Sequence, residues 1–171
     1  MRLDEAGQIV GSVLDVGCGT GDTALYLAAR GHEVLGVDFA PTAVARAARK
    51  ADQRGLAARA AFIVRDALRL GDLGRTFDTV LDIGLFHSLQ PADRTAYAAS
   101  LRAASRPGGR CFVLCWSDRN PFGYGPERVG RADLLGAFVH GWRVEAIDDE
   151  RLETRLPPGE VHAWLARLRA A

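Results

Sequence analysis

The chain has 171 residues, enough for one domain with a sizeable core and too few to carry a separate substrate domain, so a single domain over residues 1–171 is expected. Its 22 Lys and Arg nearly balance 21 Asp and Glu, and a net charge of +1 leaves no electrostatic footprint for nucleic acid or an anionic membrane. That balance favours a small-molecule partner; no apolar run approaches a bilayer span, and the odd cysteine count (Cys18, Cys111, Cys115) without a secretory signal points to a reducing cytoplasm.

Residues Met1 to Gly11 are short and mixed, and the first convincing strand is Ser12 to Val16. It runs into Gly17-Cys-Gly-Thr-Gly21, three glycines on alternate positions, where a strand can turn sharply into a helix and a ligand can press on bare backbone. Thr23 to Arg30 then has apolar residues at helical spacing, with Gly31 placed to end the helix. His32 to Asp38 reads as a buried second strand ending on an acid, which completes a βαβ unit. Pro41 suits the first turn of a helix that continues through the Ala/Arg-rich Thr42 to Arg54 and stops at Gly55. The third strand is Ala61 to Arg65, ending at Asp66, and the fourth is Phe77 to Gly84, running into Leu85-Phe-His-Ser-Leu89. A helix is expected over Pro91 to Ser105, then a tight turn at Arg106-Pro-Gly-Gly-Arg110 and a fifth strand over Cys111 to Trp116. Ser117 to Gly130 is the longest irregular stretch, Arg131 to Phe138 a short helix, Trp142 to Ile147 a strand, and Val161 to Leu168 a last strand or an amphipathic helix, of which the strand is preferred.

This alternation predicts an α/β fold, a doubly wound Rossmann-like sheet, mostly parallel with an antiparallel last strand, which binds ligands at the carboxyl ends of its strands. Asp38 can accept two hydrogen bonds from ribose hydroxyls, Asp66 can accept from an exocyclic amine, and the Ala67 amide can donate to a ring nitrogen. A nicotinamide dinucleotide is the alternative, but its fingerprint wants glycine where Asp22 stands, and a carboxylate at Asp15 would repel a pyrophosphate and welcome a cation. The loop also lacks the Gly-Lys-Ser/Thr ending of a triphosphate site. Cys111 and Cys115 fit buried thiols better than metal ligands, so no metal is expected.

Leu14-Asp-Val-Gly-Cys-Gly-Thr-Gly21, Gly36-Val-Asp-Phe39, Arg65-Asp-Ala67, Phe77-Asp-Thr-Val80 and Arg106-Pro-Gly-Gly109 together resemble the class I S-adenosylmethionine-dependent methyltransferases over nearly the whole chain. The resemblance implies that the first motif holds the methionine part of S-adenosylmethionine, the acid after the second strand the ribose, and the acid after the third the adenine. Cofactor contacts are then expected from Asp15, Gly17, Cys18, Gly19, Gly21, Asp38, Phe39, Asp66, Ala67, Asp82, Ile83 and Gly84. Leu85-Phe-His-Ser-Leu89 and Cys115-Trp-Ser-Asp-Arg-Asn-Pro121 resemble the small-molecule branch, the heterocyclic-toxin and thiopurine or tellurite methyltransferases. That likeness implies methylation of an O, N or S atom on a compact aromatic heterocycle.

Methyl transfer is an in-line displacement at an already activated carbon, so alignment can supply much of the catalysis. If the nucleophile is a hydroxyl, His87 is the best-placed base, with packing at a helix start as its structural alternative. Trp116, Asp118 and Tyr124, with His87, are the candidate substrate contacts; Asp118 also fits a turn cap, and Trp116 also fits the sheet core. Members of the resembled family carry helices before the first strand that cover the cofactor, whereas almost nothing precedes Ser12. Cover is therefore expected from the Ser117 to Gly130 stretch or a second subunit, in a monomer or homodimer, unless the chain is a truncated or minimal form, in which case a binding scaffold without catalysis is the alternative.

Overall fold

The computed structural model describes residues 2–121, 127–153 and 159–171. Seven strands form one sheet in the order β3-β2-β1-β4-β5-β7-β6. Strands β1 (Ser12–Val16), β2 (Glu33–Asp38), β3 (Ala60–Val64), β4 (Phe77–Ile83) and β5 (Ser105–Trp116) pair in parallel, with β3 at the edge. β7 (Glu160–Ala170) runs antiparallel between β5 and β6 (Trp142–Glu153), so the antiparallel last strand expected from the sequence is present. Parallel strands need crossovers, and these are supplied by α2 (Asp22–Ala29), α3 (Pro41–Gln53) and α4 (Arg94–Ala103), with a three-ten segment at Ala67–Leu73.

β1 and the second half of β5 read as near-continuous apolar runs because both faces of the sheet are covered there. On one face Leu14, Val16, Val80 and Val113 pack with Tyr97 and Leu101 of α4 and Leu134 of α5 (Arg131–Ala137). On the other, Val13, Val34, Leu81 and Phe112 pack with Ala24 and Leu27 of α2 and with Leu3 of α1 (Arg2–Glu5). That single turn of helix occupies the stretch read as short and mixed, and it is tied down by Asp4, which accepts from His32 Nε2 at 2.7 Å and pairs with Arg30.

Three sequence boundaries move for identifiable reasons. The helix expected over 91–105 splits into a three-ten turn, Pro91–Asp93, and α4. The turn expected at 106–110 is absorbed into β5 as a bulge: Phe77 pairs with Ser105, the register slips, and pairing resumes at Thr79 with Arg110. Arg106 leaves the ladder there to reach Asp78 Oδ1 at 2.6 Å. β6 continues past Ile147 to Glu153, its charged second half held by pairing with β7 from Asp148–Leu165 to Glu153–Glu160.

Parallel order reverses between β1 and β4, the neighbours that carry crossovers in opposite directions. The carboxyl ends of β1, β2 and β4 therefore open into one crevice, the place where doubly wound sheets take ligands.

Candidate active site

The glycine loop leaves β1 with Gly17, Gly19 and Gly21 at φ of 70°, 53° and 82°. Its amides turn inward. Gly17 and Cys18 both donate to the Val37 carbonyl, at 2.8 and 3.0 Å, Gly21 donates to Cys18 O at 2.8 Å, and Gly19 donates to Asp38 Oδ2 at 2.9 Å. A dinucleotide site needs such N–H groups turned toward the pyrophosphate. Here four of them are taken up by the protein, which removes the physical basis of the nicotinamide alternative. A Cβ at Gly21 would lie 2.8 Å from Ala47 Cβ, whereas one at Gly19 would meet nothing within 4 Å, so Gly19 faces open space at the ligand side.

Asp38 ends β2, its two oxygens accepting from Gly19 N and Ala40 N, each at 2.9 Å. Each oxygen keeps a lone pair, which is what a vicinal diol requires. The next residue, Phe39, is 78% exposed, a large aromatic left bare at the ligand end of the sheet. Asp66 is exposed after β3, its Oδ1 accepting from Leu68 N at 2.9 Å, with Ala67 beside it. Cys18 is half-buried and its thiol is pushed up to about 12, chiefly by burial, so it is a packing group at this ligand end.

Asp15 is the unusual group. It is 2% exposed, and its Oδ2 has no hydrogen-bond partner among the described residues. Burial, against the N–H of Ala24 and reinforced by Asp82 and Asp38, pushes its carboxyl up to about 7. A buried acid with an unanswered oxygen, grouped with two further acids, suits a cation, and the residues at these strand ends fit an adenosyl sulfonium ligand, which Asp15, Asp38, Phe39 and Asp66 would hold.

Beyond β4 the sequence expectations are partly revised. Asp82 was expected to reach the cofactor with its own carboxylate or through Ile83. Its carboxylate is fully buried, accepting from Leu85 N at 2.7 Å, Phe86 N at 3.3 Å and Tyr97 Oη at 2.8 Å, so it holds the turn after β4. Ile83 is half-buried, and Gly84, at φ 98°, donates its N–H to Leu114 O at 2.9 Å.

His87 as a base is also revised. Its Nδ1 accepts the Trp116 backbone N–H at 2.9 Å, and a backbone amide can only donate. The neutral ring therefore carries its proton on Nε2. Burial, with the ring 8% exposed, holds its pKa down to about 4, so the imidazole is neutral near pH 7 and has no free lone pair. Trp116 is buried too, its ring meeting the imidazole edge-on at 6.2 Å; it takes the core position, not that of an exposed wall. Asp118 is exposed after β5 and accepts the Trp164 indole N–H at 3.2 Å. Tyr124 lies outside the described residues.

Sequence reasoning missed the partners that shape this crevice. Tyr97 reaches Asp82 from α4, and Lys50 bridges Thr20 Oγ1 at 2.9 Å and Asp22 Oδ1 at 2.7 Å from a helix face that reads simply as solvated. It also missed a groove of about 670 Å³ that runs from the first turn of α2, at Asp22 and Thr23, across the sheet. Its walls are apolar, with Leu3, Tyr26, Ile83, Leu114 and Leu165, and its outer rim carries Glu150, Arg151 and Glu160. Among the described residues, no group of three His, Cys, Asp or Glu side chains is arranged to hold a metal ion, and no helix is long and apolar enough to cross a membrane.

Comparison with known proteins agrees with this geometry. Residues 13–109 match the methyltransferase domain family. The chain is 38% identical over 155 residues to a 2-heptyl-1-hydroxyquinolin-4(1H)-one methyltransferase of Mycobacteroides abscessus, covering 89% of this chain and 67% of that one. A protein solved in work on the conversion of a disulfide bond into a thioacetal group during echinomycin biosynthesis superposes with a TM-score of 0.88 at 38% identity, covering 99% of this chain and 79% of the other. Magnesium protoporphyrin IX methyltransferase of Synechocystis PCC 6803, solved with bound S-adenosylhomocysteine, shares the fold at a TM-score of 0.77 and 19% identity, over 99% of this chain and 79% of that one. With its motifs on the strand ends where they are expected and the family matched over more than half its length, the chain belongs to the S-adenosylmethionine-dependent methyltransferases.

Proposed function

We propose that this chain transfers the methyl group of S-adenosylmethionine to an O, N or S atom of a small aromatic heterocyclic molecule. The observation that carries the reading is the apolar groove, which is lined by the first turn of α2, just beyond the glycine loop, and by Ile83 at the end of β4, and has the volume of a drug-sized ligand pocket. When bound, the cofactor supplies an electrophilic methyl carbon. The chain's own contribution is to orient: Asp38 and Asp66 anchor the adenosine, Asp15 faces the positive end, and the groove presents the acceptor. The relative from Mycobacteroides abscessus, by its name a hydroxyquinolinone methyltransferase, supports a compact aromatic acceptor.

Residues 1–171 are proposed to act as a single domain, monomeric or homodimeric, without nucleic acid or membrane. Three free thiols, Cys18, Cys111 and Cys115, suit a reducing cytoplasm. The test has two parts. Calorimetry with S-adenosylhomocysteine should give binding, and incubation with methyl-labelled cofactor and a panel of phenols, hydroxyquinolones and thiols should give labelled product. Binding without transfer to any member would leave a cofactor-binding scaffold in place of an enzyme of this class.

A further inference from the structure

Of the groups at the strand ends that could take a proton, Asp15 keeps an oxygen with no partner among the described residues and Asp66 and Asp118 are exposed, while the others are committed. Asp82 accepts three hydrogen bonds inside the fold, and Asp38 holds the Gly19 and Ala40 amides. His87, the one imidazole beside β4, has its accepting nitrogen fixed on the Trp116 amide. Its other nitrogen differs. Nε2 has no hydrogen-bond partner among the described residues and is not among their fully buried, unpartnered atoms, so it keeps some access to solvent in a residue that is otherwise 8% exposed. It stands where a Cβ on Gly84 would be 3.9 Å away, immediately after Ile83 of the groove wall.

We propose that His87 is a fixed hydrogen-bond donor to the methyl acceptor through Nε2–H, and that the acceptor is a hydroxyl- or thiol-bearing heteroaromatic bound as its anion. The proposal rests on the small-molecule reading above and narrows it. A lone pair of the anionic acceptor atom forms the bond to the methyl carbon while the carbon–sulfur bond breaks, its electron pair going to sulfur. The sulfonium charge and the acceptor charge cancel, and no proton leaves, so no enzyme base is required. A neutral imidazole N–H lowers the free energy of the bound anion and fixes its orientation, which is a binding and positioning contribution in addition to proximity.

Two substitutions separate the nitrogens. His87→Asn puts an acceptor where Nδ1 was and keeps the Trp116 amide satisfied, but removes the Nε2 donor; His87→Gln restores a donor near Nε2. The ultraviolet spectrum of the acceptor in its dead-end complex with S-adenosylhomocysteine reports its ionisation without turnover. The expected result is the anion's spectrum, with the bound acceptor ionising at lower pH than the free one. H87N should lose that shift and about 10–100-fold in kcat/KM, and H87Q should recover most of both. On the unaltered enzyme, a series of hydroxy-heteroaromatics of graded acidity should move the acidic limb of the kcat/KM profile in step with acceptor pKa, a measurement that decides the anionic form of the acceptor even if H87N fails to fold, the donor then being read from H87Q.

An acidic limb fixed at one pH for every acceptor, lost in H87N and H87Q alike or in D118N, would identify an enzyme base and overturn the proposal. Equal rates for acceptors that stay neutral at the assay pH would overturn it while leaving the methyltransferase reading intact. Cofactor binding with no transfer to any acceptor would take down both.

Discussion

Asp15 sits where its own charge is unwelcome, and two consequences can be measured. Its folded-state pKa of about 7 lies above the ordinary 3.8. Between those values the folded chain holds a proton that the unfolded chain has released, so stability is greatest below about pH 4 as far as this group is concerned and falls as pH rises toward 7. Asp82, raised to about 6 by the same burial, acts in the same direction. Asp15→Asn should therefore raise the thermal midpoint at pH 8 by the equivalent of roughly 2–4 kcal/mol and do little at pH 4. It should weaken binding of S-adenosylmethionine more than that of S-adenosylhomocysteine, because the two differ by the sulfonium charge; equal losses in calorimetry would remove Asp15 from the cationic end. Asp38→Ala deletes the acceptor for the Gly19 and Ala40 amides together with the two proposed ribose contacts. Affinity for S-adenosylhomocysteine should fall about 10–100-fold, and an unchanged value would place the ribose elsewhere.

At the scale of the element, the glycine loop divides into parts with different duties. Gly21 turns the chain into α2 at φ 82° with Ala47 and Phe62 pressed against it, so Gly21→Ala combines a disfavoured backbone with overpacking and should cost about 2–4 kcal/mol of stability in urea unfolding. Gly19 has the backbone demand without the neighbours. Gly19→Ala should cost only about 1–2 kcal/mol while weakening S-adenosylhomocysteine binding, since the added methyl projects into the ligand space. If stability fell equally in both, open space at Gly19 would be the wrong description. The loop, the acids after β2 and β3 and the strand that carries each were legible in the sequence because they are local: a glycine spacing, an acid closing an apolar run. The state of His87 was not, because the bond that fixes its tautomer comes from Trp116, 29 positions away. Nor was the role of Asp82, whose Tyr97 partner arrives from α4.

For the whole molecule, sheet order follows from βα alternation, yet the groove does not, since Leu3, Tyr26, Ile83, Leu114 and Leu165 meet only when α1, α2 and strands β4, β5 and β7 are assembled. The second half of β6 was equally hidden: Asp148-Asp-Glu-Arg151 has none of the apolar alternation of a strand and is held by cross-strand pairing with β7. A single charge in the groove floor tests its use. Leu114→Glu should raise KM for apolar acceptors by about tenfold, the loss of a part-buried aliphatic contact, and leave S-adenosylhomocysteine affinity unchanged; an unmoved KM would send the acceptor to another surface. The strand order also bears on how the molecule is made. β7 leaves the ribosome after β6 but lies between β5 and β6 in the sheet, so the parallel part from β3 to β5 can assemble during synthesis while β6 waits without a partner. Until residues 160–170 have emerged, one edge of β5 and the whole of β6 present open backbone, a nascent chain with two adhesive edges at the moment it most needs shielding.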